Sequence, residues 1–281
     1  MTINSRMLFQ LFKYAVYVLL AMNIYWFFAE ETAAATLQFA DGVGFADLIE
    51  AFSATIDTAA WVVLLLLFEL ETYVLEDRHF TKRVTLSLHS LRAICYAFIV
   101  YAFYGYIANL AYLYETRVVA DLGDLCSLLP ASWSWAVTLD EYAGITAANC
   151  ASLSDATVFH QFNEMLAVVD TQGLKDIRYL AWVDVVNAGV WLLVVLVLEI
   201  DVRLQERGLY DGFVLKASTA AKAILYSLLL LAAIYWGFEG DFVDFWDAFL
   251  WLVAFVFIEL NVFEWHKEEK EAAAEASAIS G

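Results

Sequence analysis

The sequence predicts an all-α polytopic membrane protein with six transmembrane helices, arranged as three pseudo-repeated two-helix hairpins. The first observation is composition, because 63% of the 281 residues are hydrophobic, the mean hydropathy is +0.67 and there is one proline. A soluble domain carries much more charge and many more turn residues. The second observation is that six apolar stretches are long enough, at about 20 residues, to cross a bilayer. These predicted spans cover roughly 8–29, 51–70, 92–112, 179–199, 220–238 and 245–264.

The third observation is a residue pattern that occurs three times. In each copy an Asp or Asn lies four residues before a Trp, and a Glu lies eight residues after that Trp. The three sets are Asp57, Trp61 and Glu69; Asn187, Trp191 and Glu199; and Asp247, Trp251 and Glu259. Ahead of each set, an apolar segment contains a cation that a Tyr follows four residues later. These pairs are Lys13 and Tyr17, Arg92 and Tyr96, and Lys222 and Tyr226.

Self-similarity on this scale predicts one supersecondary unit used three times. We place the units at about 6–80, 84–210 and 214–268, within a single membrane domain that covers 1–281. In each unit an outward helix is followed by an inward helix. A short polar tail, 269–281, follows the last unit and receives no functional assignment.

The second unit carries an insertion between helices 3 and 4, at about 115–175. In repeat proteins such insertions map to loops on one face, often the binding face. The insertion contains Cys126 and Cys150, which we expect to form a disulfide that closes this region, because paired thiols persist in oxidising compartments. The apolar spacing of the segment that begins at Val158 predicts a helix there.

The distribution of Lys and Arg predicts the orientation in the membrane. Cations occur near the N-terminus, in the connections after the second and fourth spans, and in the tail, whereas 30–50 and 238–247 contain none. The positive-inside rule therefore places both termini in the cytoplasm and the insertion outside. We expect the cytoplasmic (inner) membrane of a prokaryote. The net charge of −19 is concentrated in the predicted outer connections. An outer face this acidic either attracts cations or serves only to keep the surface solvated.

The repeated charges have two interpretations. At about 1.5 Å per residue, each Glu lies about 18 Å deeper than the Asp or Asn of its helix, at the depth of the cation on the preceding helix. A charged group in hydrocarbon is costly unless it is paired. The first interpretation is therefore that each cation, Tyr and Glu form a structural cluster that holds a hairpin together. These three predicted clusters are Lys13, Tyr17 and Glu69; Arg92, Tyr96 and Glu199; and Lys222, Tyr226 and Glu259.

The second interpretation is a cation pathway. One stripe on each inward helix begins at the Asp or Asn, continues through the Trp and an apolar stretch, and ends at a polar residue, namely Glu71, Asp201 or Asn261. Three facing stripes would form an acidic mouth, a ring of tryptophans and a dry constriction, which is how cation pores select and gate. The predicted outer cation site comprises Asp57, Asp184, Asn187 and Asp247. The predicted aromatic ring comprises Trp61, Trp191 and Trp251.

Several classes of function lack sequence support. The chain has no P-loop, GxGxxG or HExxH sequence, and no two of its four histidines lie four residues apart. We therefore expect no enzyme activity, no cofactor, no metal centre and no nucleic acid. The function predicted is that of a cation channel or transporter for a monovalent or divalent cation. The alternative is a non-catalytic structural or interaction subunit in the lipid bilayer, either a homo-oligomer or part of a membrane complex.

Overall fold

The computed structural model describes residues 5–39, 42–45, 47–71, 75, 81–119, 122–138, 140–156, 158–162, 165–207 and 209–255. The chain divides into two compact units. The larger unit is Asn23–Leu225, and the smaller unit combines Met1–Met22 with Tyr226–Gly281. Glu259, Asn261, the end of the sixth predicted span and the polar tail lie outside the described residues.

Most of the described chain is helical. The helices are α1 (Ser5–Gln38), α2 (Leu48–Ala51), α3 (Ser53–Glu69), α4 (Lys82–Tyr112), α5 (Cys150–Leu153), α6 (Thr171–Glu206), α7 (Gly212–Glu239) and α8, which is described over 242–255. Four of them are long and apolar enough to cross a membrane: Met7–Gln38, Lys82–Tyr112, Thr171–Leu204 and Gly212–Glu239. These four coincide with predicted spans one, three, four and five. Large apolar side chains are exposed along all four, as expected for surfaces that contact lipid.

The larger unit packs α2 and α3 closely against α4. A Cβ placed on Gly105 would lie 2.8 Å from the carbonyl oxygen of Ile49, so only glycine permits this approach between the two backbones. One turn further along α4, Asn109 donates a hydrogen bond from Nδ2 to Ser53 Oγ, over 3.3 Å. These contacts hold the start of α3 against the C-terminal half of α4.

The insertion is a β-sheet domain, so the prediction of an all-α fold is wrong for this part of the chain. Its five strands are β1 (Thr116–Val119), β2 (Ser134–Ala136), β3 (Tyr142–Gly144), β4 (Phe159–Phe162) and β5 (Ala167–Asp170). They form one sheet in the order β1-β4-β5-β2-β3, in which β2 and β5 are parallel and the other neighbours antiparallel.

The segment that begins at Val158 forms β4 and β5, although its apolar spacing predicts a helix. The reason is that this sheet is covered on both faces. Ala167, Val168 and Val169 are all buried, yet Val168 points to one core and Val169 to the other. A strand buried on both faces loses the alternation that identifies strands in a sequence, and a short apolar run of this kind is ambiguous.

One face of the sheet rests on the ends of α4 and α6. Phe162 and Val169 from the strands pack there with Leu113, beyond the end of α4, and with Ile177 on α6. The other face is covered by α5 and by a 3₁₀ helix, Leu125–Ala131. The disulfide predicted between Cys126 and Cys150 is present and joins these two covering segments, with Cα atoms 4.9 Å apart.

Arg178 connects the sheet domain to the helices. Its guanidinium donates two hydrogen bonds to the carbonyl oxygen of Leu113, of 2.8 and 3.1 Å, and lies 4.5 Å from the ring centroid of Tyr114. A cation at a helix C-terminus satisfies carbonyls that have no partner within the helix. Because β1 follows α4 after three residues and β5 leads directly into α6, the sheet is held at both of its connections.

Candidate functional site

Two ion pairs connect neighbouring helices at the end of the larger unit that lies away from the sheet. Arg92 on α4 donates to Glu71 Oε2, just beyond the end of α3, over 2.6 Å. Lys222 on α7 lies 3.1 Å from Asp201 Oδ2 on α6. Glu199, the acid that the repeat associates with Arg92, instead lies 3.9 Å from Arg203 on its own helix.

Asp201 is the centre of a larger cluster. Its Oδ2 atom also accepts hydrogen bonds from Ser218 Oγ, over 2.6 Å, and from Tyr210 OH, over 3.0 Å. The carboxylate is buried, and its three donors come from α7 and from the connection between α6 and α7. A single buried carboxylate oxygen therefore joins the end of α6 to the start of α7. Tyr210 and Ser218 were not identified from the sequence.

Both ion pairs join residues that are 21 positions apart, and both acids lie ten residues after the repeated Trp. Each cation therefore pairs with an acid of the preceding repeat unit. Glu71 and Asp201 are the polar ends of the predicted stripes, and their constant separation from the next cation is the signal that identifies them. The corresponding position of the third copy, Asn261, lies outside the described residues.

The remaining residues of the predicted clusters are distributed over the two units. In the smaller unit Lys13 is buried, and its Nζ atom lies 5.0 Å from the ring centroid of Tyr14 and 5.9 Å from that of Tyr17. In the larger unit Glu69 is buried at the end of α3. Tyr96 lies on α4 and Tyr226 on α7, each one turn beyond its cation.

The predicted aromatic ring is represented in the larger unit by Trp61 and Trp191. Both are buried, and their ring centroids are 6.0 Å apart with the planes tilted by 55°. The polar starts of the two stripes, Asp57 and Asn187, lie one turn before these tryptophans. Asn187 Oδ1 is buried and has no hydrogen-bond partner among the residues that the structure describes. Asp184 precedes it by three residues on α6.

The third stripe lies in the smaller unit. Trp251 is buried on α8 and contacts Phe255, with ring centroids 6.5 Å apart, and Asp247 lies one turn before it. The next position of the stripe, Ala254, is also fully buried. Val194 occupies the same position in the second stripe and is likewise fully buried. The middle of both stripes is thus packed with side chains.

Glu31 is a further buried acid that sequence reasoning did not assign to a site. Its two carboxylate oxygens accept hydrogen bonds from the backbone N–H groups of Ala54 and Thr55, over 2.7 and 3.1 Å. These are the second and third amides of α3, whose own preceding residue, Phe52, has no side-chain acceptor. Glu31 on α1 therefore caps α3 from another helix, because it supplies acceptors to amides that have no partner within α3.

Within the described residues, no group of three or more His, Cys, Asp or Glu side chains could hold a metal ion. Four apolar helices of membrane-spanning length, joined to an inserted sheet domain, indicate an integral membrane protein. Comparisons with protein-family models, with curated proteins and with solved structures find no match to the chain.

Proposed function

We propose that the protein is a non-catalytic interaction subunit of a membrane complex, with the sheet domain as its recognition module. In this proposal six helices anchor the chain, both termini are cytoplasmic, and the sheet domain lies outside. The observation that carries the proposal is the common core of the sheet and the ends of α4 and α6, in which Leu113, Phe162 and Ile177 are almost fully buried. A binding surface on a rigid support loses little conformational entropy when a partner docks.

The two ion pairs support the same conclusion. Arg92 and Lys222 each have an acid from the preceding helix within hydrogen-bond distance, and Asp201 has three donors. Charges that are satisfied by neighbouring helices fix the register of those helices. They therefore hold the helices of the larger unit together, and we assign partner binding to the sheet domain.

The charge of the sheet domain indicates the chemistry of its partner. Between 115 and 170 there are eight acidic residues and one arginine. Burial, then the charge of Asp47, and then that of Glu115, at the start of this region, raise the pKa of Glu50. Complementary potentials steer association and exclude like-charged partners. The partner that fits this surface is a protein with a basic face.

The test is chemical crosslinking in native membranes, followed by purification and mass spectrometry. The diagnostic variant is Glu141→Lys with Asp155→Lys, because both side chains are exposed on the sheet domain and make no hydrogen bond or ion pair in the described structure. The matched control is Asp211→Lys, which reverses an exposed acid in the connection between α6 and α7. A partner that is captured by the native chain and by the control, but lost with the sheet-domain variant, is the expected result.

Equal capture by all three chains would show that the sheet domain does not select the partner by charge. No specific crosslinked protein at all, from a well-folded chain, would overturn the proposed interaction function. Circular dichroism and an intact disulfide establish folding in each case, so that loss of capture is not caused by loss of structure.

A cation pathway is a second candidate, and Asn187 is the observation that favours it. A buried amide oxygen without a protein partner is costly, and such an atom is well suited to bind a cation or water during conduction. One turn further along the two helices, Trp191 on α6 contacts Trp61 on α3, with ring centroids 6.0 Å apart. The packed middle of the stripes then corresponds to a closed state.

Flux of H⁺, Na⁺, K⁺ and Ca²⁺ into liposomes tests this candidate. Asn187→Leu is the sharpest variant, because within the described residues it removes an unpaired acceptor without breaking a hydrogen bond. The cation pathway predicts at least a tenfold change in flux with unchanged or increased stability. Asp57→Asn combined with Asp247→Asn tests the predicted outer site in the same assay. Flux equal to that of empty liposomes for the native chain excludes this candidate.

A further inference from the structure

One exposed face of α6 changes from apolar to aromatic to cationic along its length. From the middle of the helix toward the sheet, its exposed side chains are Leu193, Val186, Trp182, Tyr179 and Lys175. Residues separated by three, four or seven positions lie on the same side of a helix. Trp182 is 47% exposed and Tyr179 is 60% exposed, values that are high for side chains of this size.

Tyr114, just beyond the end of α4, extends this face. The indole Nε1 of Trp182 donates a hydrogen bond to Tyr114 OH over 3.3 Å, and Tyr114 is 56% exposed. Lys175 lies one turn before Tyr179 and is also exposed. Lys175, Tyr179, Trp182 and Tyr114 together form what we call the α6 interface patch.

The cations of this region are concentrated around the patch. Between Arg92 and Arg203 the chain contains three Lys or Arg residues, namely Arg117, Lys175 and Arg178. All three lie on β1 or in the first eight residues of α6, and Arg178 contacts the Tyr114 ring. Acids lie among these cations, namely Glu115, Asp170 and Asp176, so the positive charge that an anionic group would meet here is that of the individual side chains.

The dimensions match a bilayer. Trp182 and the exposed Arg203 are 21 residues apart on one helix, which corresponds to about 32 Å. The exposed side chains of α6 between Trp182 and Glu199 are Val186, Leu193 and Leu196, all apolar. A hydrocarbon core is about 30 Å thick, and Trp and Tyr are enriched at both of its boundaries. Lys175 is a further 10 Å or so beyond Trp182, at the depth of lipid phosphates.

We propose that the α6 interface patch binds phospholipid headgroups, with the aromatic rings at the boundary of the hydrocarbon and Lys175 on the phosphate. The sheet domain then rests at headgroup level, with its edge strand β1 beside the lipid surface. This proposal concerns a surface other than the acidic one that is proposed to bind a protein. It stands on exposure, spacing and charge, and it does not depend on the identity of that partner.

The experiment is fluorescence quenching of the full-length chain in vesicles of phosphatidylcholine and phosphatidylglycerol. The emission of Trp182 is obtained as the difference between the native chain and Trp182→Phe. We expect a lipid with a nitroxide near the headgroup to quench this emission at least twofold more strongly than one with a nitroxide near the bilayer centre. Aqueous iodide should quench the Trp182 emission less than the headgroup nitroxide does. Trp133→Phe is the control, because Trp133 packs against the covered far face of the sheet and should show no quenching by lipid.

Two results would overturn the proposal. Quenching of the Trp182 emission by iodide and not by lipid would place the patch in water. Quenching by neither reagent would mean that another protein chain, such as a second copy, covers it. A further variant tests the charge, since Lys175→Gln should reduce the preference for phosphatidylglycerol by up to about fivefold. An unchanged preference would refute the role of Lys175.

Discussion

The ion pairs between successive repeats lead to a quantitative prediction about stability. In the Asp201–Lys222 pair the side chains are 6% and 21% exposed, whereas in the Arg92–Glu71 pair they are 30% and 25% exposed. Two unit charges about 4 Å apart attract by about 1 kcal/mol in water and by about 4 kcal/mol at an effective dielectric constant of 20. The more buried pair should therefore be the stronger one.

Double-mutant cycles measure each pairwise term separately from its neighbours. For Asp201→Asn with Lys222→Met we expect a coupling energy of about 2–3 kcal/mol, and for Glu71→Gln with Arg92→Met about 1 kcal/mol. Asp201→Asn alone should cost about 3 kcal/mol, near the low end for a broken buried pair, because Lys222 retains some access to water. The assay is reversible unfolding in mixed micelles of a mild detergent and dodecyl sulfate, followed by circular dichroism.

Two results would refute this reasoning. Coupling energies below about 0.5 kcal/mol for both cycles would mean that the pairs contribute no more than exposed ones do. A larger coupling for the Arg92–Glu71 pair would mean that burial does not determine their relative strength. The two cycles are matched controls for each other, since both pairs span 21 residues and connect consecutive helices.

Three further predictions concern the larger unit. Glu31→Ala should cost about 1–2 kcal/mol in the same unfolding assay, because two amides at the start of α3 lose their acceptor; an unchanged stability would mean that water replaces the carboxylate. Reduction of the Cys126–Cys150 disulfide, whose cysteines are 24 residues apart, should lower the free energy of unfolding of the sheet domain by about 3.5 kcal/mol. In the reduced chain the near-ultraviolet dichroism should then be lost at a lower dodecyl sulfate fraction than in the oxidised chain, while the helical signal is retained. Burial, and then the charge of Arg178, lower the pKa of His160. As the pH falls through about 6.5, His160 is therefore protonated in the unfolded chain before it is protonated in the folded chain, and the free energy of unfolding decreases. In His160→Gln this part of the pH dependence should be absent, and an identical pH profile for the two chains would contradict the assignment.

The membrane-spanning helices were predictable because their signal is local. A span requires only a long apolar run, and four of the six predicted runs correspond to helices of membrane-spanning length. The disulfide was predictable for a similar reason, since Cys126 and Cys150 are the two cysteines within one insertion. In both cases the composition of a continuous stretch of chain is sufficient.

The sheet was not predictable from periodicity. Val168 and Val169 are both fully buried, on opposite faces of β5, so the polar residues that reveal a strand by alternation are missing. The covering segments that bury the second face are the 3₁₀ helix and α5, which are far from β5 in sequence. Only their arrangement in three dimensions explains why this apolar run is a strand.

The sequence by itself determined that charges recur at fixed depths of an apolar bundle, and that they must be satisfied there because a lone charge in hydrocarbon is too costly. The tertiary structure decided which acid each cation meets. The helical repeat places Glu199 at the depth of Arg92, but Arg92 lies beside the end of α3, the helix that precedes α4 along the chain, and so it pairs with Glu71. Depth is a one-dimensional property that spacing encodes, whereas the choice of neighbour depends on the lateral packing of helices, which spacing along one chain does not contain.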